Sequence, residues 1–232
     1  MIPRVQKHLS YSFATGLALF IVCLICVSQW KSYAPHIHQA VPTSPYLTPW
    51  TVLSVGALGL ALALIAAPVR NQLPIQLILS KALSALVFCF AAVFLLEYAS
   101  GIHVPDLDIF FLPDLSGQRV TLYAARPTPH SATTSLLFAS AMLIYHRQTM
   151  WQKRVFQIIV LAAILLPAIT SIGYLLHWLF RAHRSPEPRV GLSFPAVVLY
   201  LTLGSGFLGV AFSSIFVKPV VAPSAKVVRR SV

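Results

Sequence analysis

The side chains able to do chemistry in this chain are few, and histidines lead them. Eight histidines stand beside only five carboxylates. His36 and His38 are one residue apart in a proline-containing stretch, and His103 shortly precedes Asp106 and Asp108. Imidazole nitrogens and carboxylate oxygens together are a donor set for a divalent metal, so these five residues are the candidate ligands. Nothing in the spacing ties the two groups to each other, and exposed loop histidines that respond to pH are the plainer reading. No metal or cofactor is therefore expected. Cys23-Leu-Ile-Cys26 has the spacing of a redox or metal pair but lies inside an apolar run with no second pair, and Cys89 is likewise in an apolar run. All three read as small apolar residues in lipid or at helix contacts. His177, beside Trp178, reads as interfacial, because a membrane cytochrome needs histidine pairs facing each other in mid-bilayer. Lys81 and Glu97 are the charges nearest to lipid. Lys81 can snorkel along its four-carbon stem, and Glu97 is expected near the outer interface. There is no phosphate-binding glycine loop, nucleophile elbow or His-Glu-x-x-His helix, so no catalytic residue is assigned and no enzyme is expected.

The elements that would position these residues are membrane spans. Of 232 residues, 57% are hydrophobic and 9% charged, and the mean hydropathy is +0.78. A soluble domain carries roughly a quarter charged residues. Six apolar runs are read as spans, at 11–30, 50–68, 75–98, 131–145, 155–180 and 196–217. The fourth is short and is expected to borrow Thr128–His130. Charge sets the orientation. With the N-terminus inside, the inner segments hold Arg4, Lys7, Arg70, Arg147, Lys153, Arg154, Lys218, Lys226, Arg229 and Arg230, and no acid. The outer segments hold Asp106, Asp108, Asp114 and Glu187 beside six basic residues. The positive-inside rule thus favours six spans with both termini cytoplasmic. The net charge of +12 then reflects topology and contact with lipid, with no nucleic-acid partner. The basic start and first apolar run read as an uncleaved span, since the run is long and lacks a small-x-small cleavage site.

Three prolines enter apolar runs from polar loops, each followed ten positions later by a small residue: Pro49 with Gly59, Pro129 with Ala139, Pro195 with Ser205. Thr48 and Thr128 precede two of them, and a hydroxyl cap followed by proline is how a helix starts. The expected fold is an all-α transmembrane six-helix bundle built from three parallel helical-hairpin repeats. Counted from each proline, positions +3, +7, +10 and +14 share a face that is expected to meet at the bundle centre through small residues. On that basis Gly59→Leu and Ser205→Leu should destabilise more than Leu58→Ala. Outer loop one, Lys31–Pro49, is expected to be ordered by its prolines and not by regular structure. Outer loop three, Ser100–Pro129, is the largest soluble piece, with an amphipathic element around 104–114. Residues 218–232 form a basic, proline-containing cytoplasmic tail.

Several stretches resemble the N-terminal membrane input region of bacterial sensor histidine kinases and diguanylate cyclases. They are Pro49-Trp50-Thr51-Val52 with Gly59-Leu60-Ala61-Leu62, Arg126-Pro-Thr-Pro129-His-Ser131-Ala132, and Ile169-Thr-Ser-Ile-Gly173-Tyr174-Leu175. Gly101-Ile102 followed by Leu107-Asp108-Ile109-Phe110-Phe111-Leu112-Pro113 is similar to the segment ahead of the family's second motif. The likeness covers nearly all of 11–217, while Pro195-Ala196-Val197-Val198 lacks the threonine, and Ala139 and Ser205 stand for glycine. The resemblance implies a non-catalytic sensory module in a bacterial inner membrane, passing an outer-face or membrane signal to a cytoplasmic kinase, cyclase or membrane partner in a two-component system. Such regions normally feed a PAS, kinase or cyclase module, and only fifteen residues follow the last span, so a truncated front end of such a protein is one alternative. A small permease or transport accessory subunit is the other. A second copy of the chain is a further candidate partner.

Overall fold

The computed structural model describes residues 3–40, 47–67, 74–102, 126–145, 150–179 and 192–216. These residues form helices and no strand: α1 (Pro3–Ala40), α2 (Pro49–Ala66), α3 (Pro74–Ser100), α4 (Pro129–Ile144), α5 (Met150–Leu179) and α6 (Phe194–Phe216). All except α4 are long and apolar enough to cross a membrane. The 16 residues of α4 rise about 24 Å, against roughly 30 Å for a hydrocarbon core. The described helices are those of a multi-pass membrane protein, with apolar faces suited to lipid.

One boundary differs from expectation. Residues 31–40, expected as irregular loop, continue α1 past Pro35 to Ala40. At 38 residues the helix is about 57 Å long, against roughly 30 Å for a hydrocarbon core.

The even-numbered helices start alike. Thr48 Oγ1 accepts from the Thr51 amide at 3.4 Å, Thr128 Oγ1 from the Ser131 amide at 3.2 Å, and Ser193 Oγ from the Ala196 amide at 3.4 Å. Each cap's carbonyl then takes the first helical bond, from Val52, Ala132 and Val197. Proline follows the cap directly in α2 and α4, but Phe194 intervenes in α6. A hydroxyl cap is therefore common to the three helices, and the proline lies one position further on in the third. Measured from the caps, the residues at equal distance are Gly59, Ala139 and Gly204, all buried. Ser205, the residue expected from the proline, is one step round the helix, half-buried, with its hydroxyl 2.8 Å from that of Tyr11.

The same shift corrects the expected central face. On α6, Val198 is 48% exposed and Thr202 is exposed, so that stripe does not point inward. On α4, Ala132 and Ala139 are buried, but Leu136 and Leu143 are half-buried. On α2 the stripe is buried, but Gly56 and Gly59 lie against α1. A Cβ on Gly59 would stand 2.9 Å from the Gly16 carbonyl oxygen, and one on Gly56 would stand 2.9 Å from the Cys23 Cβ. The centre is instead filled by larger side chains: Val55, Leu58 and Leu62 of α2, Phe138 and Met142 of α4, and Tyr200, Leu203 and Phe207 of α6. The Phe138 ring lies 4.9 Å from that of Phe207. Small residues here let a hairpin partner approach, while bulky ones fill the middle.

The helices close into a ring in chain order, α6 packing back on α1, with α2 also touching α4 and α6. α1 lies between α6 and α2, α3 between α2 and α4, and α5 between α4 and α6. Contacts fix the directions. Gly16 meets Ala63 while Cys23 meets Gly56, so α1 and α2 run antiparallel. The first turns of α2, α4 and α6 meet one another (below), so these three run parallel. α2 and α6 are largely buried, whereas α1, α3 and α5 expose most of their apolar surface.

Candidate functional site: a buried hydroxyl cluster at the capped end

At the end where the even helices begin, their first turns carry hydroxyls that meet across the bundle. Thr51 and Ser131 each sit three residues past their cap, which puts them on the face turned toward the other inner helices. Thr51 Oγ1 is 2.9 Å from Ser131 Oγ, and Ser131 Oγ is 2.9 Å from the Tyr200 hydroxyl. That hydroxyl also lies 2.6 Å from Ser135 Oγ and donates to the Ser131 carbonyl at 3.0 Å. Thr48 Oγ1 extends the chain outward, 2.9 Å from Thr51 Oγ1. At the position of α6 matching Thr51 and Ser131, the residue is Ala196; Tyr200, one turn on, supplies the missing oxygen. Every member is buried, so each hydroxyl is satisfied by the others and not by water.

Beside the cluster lies a buried ion pair. Arg126, 2% exposed, donates to Glu97, 3% exposed, at the last turns of α3. The guanidinium carbon lies 5.9 Å from the centroid of the Phe94 ring. Taking two charges out of water is costly unless they are paired, so this contact holds the chain firmly just ahead of the Thr128 cap. Tyr98 adds a bond from its hydroxyl to the Pro127 carbonyl at 2.9 Å. α3 itself ends at Gly101, whose φ of +68° lets its amide reach the Glu97 carbonyl at 2.9 Å. Trp50, first-turn neighbour of Thr51, packs on Phe90 and Phe94 with ring centroids 4.9 and 5.5 Å away. α2 and α4 are thus both anchored to the same end of α3.

Glu97 stands in the last turn of α3 and is buried there against Arg126, a partner 29 residues away in the sequence that supplies its countercharge. Of the metal candidates, His36 and His38 fall on the last part of α1, and their side chains are outside the described ones. His103, Asp106 and Asp108 lie outside the described residues, as does the 104–114 element. Among the described residues no three of His, Cys, Asp and Glu come together. Of the repeat residues, Pro49, Thr51, Pro129 and Ser131 sit on the capped turns of α2 and α4, Gly59 is buried against α1, Ala139 is buried on α4, and Pro195 and Ser205 are exposed and half-buried on α6.

The cluster is built to hold helices together. Among the described residues the Ser131 and Ser135 side chains meet other hydroxyls, those of Thr51 and Tyr200. The hydroxyl chain runs inward from Thr48 and stops at Ser135, beyond which Phe138 closes the centre. Searches against protein-family models, curated proteins and solved structures return no match.

Proposed function

We propose that this chain is a non-catalytic membrane input module that passes an outer-face or membrane signal to a cytoplasmic partner. The carrying observation is that one buried cluster ties the starts of all three inner helices, through Thr51 and Ser131 in the first turns of α2 and α4 and Tyr200 one turn further into α6. A stimulus shifts a conformational equilibrium only by binding two arrangements unequally. A dense set of interchangeable hydroxyl partners, clamped on one side by Arg126 and Glu97, is an element whose bonds can be re-paired without exposing an unsatisfied group.

The architecture behind this reading is a triplicated hairpin. α1–α2, α3–α4 and α5–α6 are three parallel copies, with α2, α4 and α6 inside, and both termini in the cytoplasm of a bacterial cell. Two observations support it: the common capped start, and the buried residues at equal distance from each cap. The resemblance to sensor-kinase and cyclase input regions supports the assignment to signalling, with a kinase or cyclase as the partner.

Proximity labelling in native membranes tests the output. With the full chain, labelling should capture a cytoplasmic kinase or cyclase. An Arg147/Lys153/Arg154 triple-alanine variant should lose it, while a chain ending at Val217 should retain it. The sequence expectation behind this is that Pro219 and Pro223 disfavour a helix continuing into the tail. Loss on truncation with retention in the triple variant overturns this account of the output. Capture of transport subunits alone favours the permease reading.

A further inference from the structure

α4 is fixed at its capped end by α3. Arg126 pairs with Glu97 and lies 5.9 Å from the Phe94 ring centroid, and Tyr98 donates to the Pro127 carbonyl at 2.9 Å. Further along, α4 meets its neighbours through rings: Phe138 on Phe207 at 4.9 Å and Tyr145 on Phe156 at 5.3 Å. The helix is also short. Its 16 residues leave about 6 Å of a roughly 30 Å hydrocarbon core unspanned, close to the helical pitch of about 5.4 Å. A helix shorter than the core takes its depth from its neighbours, because its own ends do not reach both interfaces. Its hydroxyls repeat at that pitch. Ser131 and Ser135 are one turn apart, and the Tyr200 hydroxyl touches both, at 2.9 and 2.6 Å. Ala139, next in the same row, is buried, and one turn beyond Phe138 comes Met142, a flexible apolar side chain also in the core. On α2, which runs parallel, Thr48 stands one turn nearer the capped end than Thr51, with their hydroxyls 2.9 Å apart. A movement of α4 by one turn toward its capped end therefore puts Ser135 where Ser131 now meets Thr51 and Tyr200. The same movement brings Ser131 level with Thr48 and Met142 into the place of Phe138. Hydroxyl faces hydroxyl in both positions.

We propose that α4 has two such positions one turn apart, and that the Glu97–Arg126 pair is the latch that holds the observed one. Releasing the pair leaves the guanidinium drawn toward water, together with the chain just ahead of Thr128, and this sets the direction of movement. Packed elements that step past one another by a turn, between two discrete arrangements, are an established form of switch. The device regulates the hydroxyl cluster and takes its purpose from the signalling reading above. The movement itself is measured on the purified chain without any partner, so the latch and the signalling role fail separately.

The test is the rate at which a water-soluble maleimide labels single cysteines of the full chain in lipid nanodiscs, with Cys23, Cys26 and Cys89 replaced by alanine. Thr133→Cys and Leu137→Cys probe α4 one turn apart. Thr202→Cys probes α6 as far from its cap at Ser193 as position 137 is from Thr128. With the latch intact, position 133 should label faster than the deeper 137. Adding Glu97→Gln should raise labelling at 137 to the rate that 133 shows with the latch intact, and should leave 202 unchanged. Ala139→Ser gives the moved helix a hydroxyl opposite Tyr200 and leaves the ion pair alone. It should raise labelling at 137 in the same direction, and it gives the test if the Glu97→Gln chain fails to fold. Unchanged labelling at 137 with Glu97→Gln overturns the latch, and unchanged labelling with both variants overturns the second position itself. An equal rise at 202 means that the whole capped end has loosened, which overturns the movement of α4 as well.

Discussion

Whether the hydroxyl cap or the proline sets the register of α6 can be decided by two neighbouring substitutions. Gly204 is buried. A Cβ there would stand 2.6 Å from Ile164 Cγ1, 3.0 Å from Ile164 Cδ1 and 3.4 Å from Phe138 Cζ. Leucine at this position must displace α5 or distort the Ile164 rotamer, which costs about 1–3 kcal/mol. Ser205 is only half-buried, and its hydroxyl bond to Tyr11 is exposed. Losing such a bond in a membrane bundle costs about 0.6 kcal/mol, and leucine there gains contact with lipid. Ser205→Leu should therefore be nearly neutral, and Gly204→Leu should melt lower by roughly 2–4 °C per kcal/mol of difference. Gly59→Leu should be worse than either, because its nearest neighbour is the unyielding Gly16 carbonyl at 2.9 Å. Leu58, at the centre and 0% exposed, should cost roughly 2–5 kcal/mol when cut to alanine. That reverses the order expected from the proline register, in which Leu58→Ala was the mild change. Thermal or denaturing-detergent unfolding of the purified variants in mild micelles reads all four. If Ser205→Leu destabilises as much as Gly204→Leu, the cap does not define the repeat and the alignment of the three helices fails.

Topology reporters fused after residues 40, 115 and 187 should read as periplasmic, and after 72, 150 and 225 as cytoplasmic; a periplasmic result at 225 removes the paired-hairpin arrangement. Tyr200→Phe and Ser135→Ala should each destabilise by about 1 kcal/mol and the pair by less than their sum, since both break the same bond. Strict additivity in that cycle shows that the cluster is not one network. Glu97→Ala leaves Arg126 buried without its countercharge and should cost roughly 3–5 kcal/mol in unfolding. Adding Arg126→Leu to it should recover much of that loss, and no recovery means that Arg126 is held by other contacts.

Helix type and approximate extent were legible in the sequence because long apolar runs admit few alternatives in lipid. α4 was located despite its length, since Thr128-Pro129 marks its start chemically. The hydroxyl start of α6 was not read because proline is a conspicuous marker of a helix start and serine is not. Only the amide bond to Ser193 identifies the cap. The persistence of α1 through Pro35 ran against the usual reading of a proline-rich stretch. Of the candidate site, Thr51 and Ser131 were singled out through the repeat, but Tyr200 was not. Its hydroxyl serves α4 and not its own helix, and such a partnership leaves no trace in local spacing. Glu97 and Arg126 were both noticed as charges. One signal could have joined them: opposite charges bracketing a single outer segment, one of them inside a span.

The shared direction of α2, α4 and α6 also gives the bundle an electrical pattern. Each helix carries roughly half a positive charge at its N-terminus and half a negative charge at its C-terminus. Six alternating helices nearly cancel along the membrane normal, so the bundle as a whole has little net dipole. Across its width they do not cancel. At the capped end three positive poles converge on the axis inside a rim of negative ones, and at the basic end the order is reversed. The hydroxyl oxygens of Thr51, Ser131 and Tyr200 lie on the inner side of that focus.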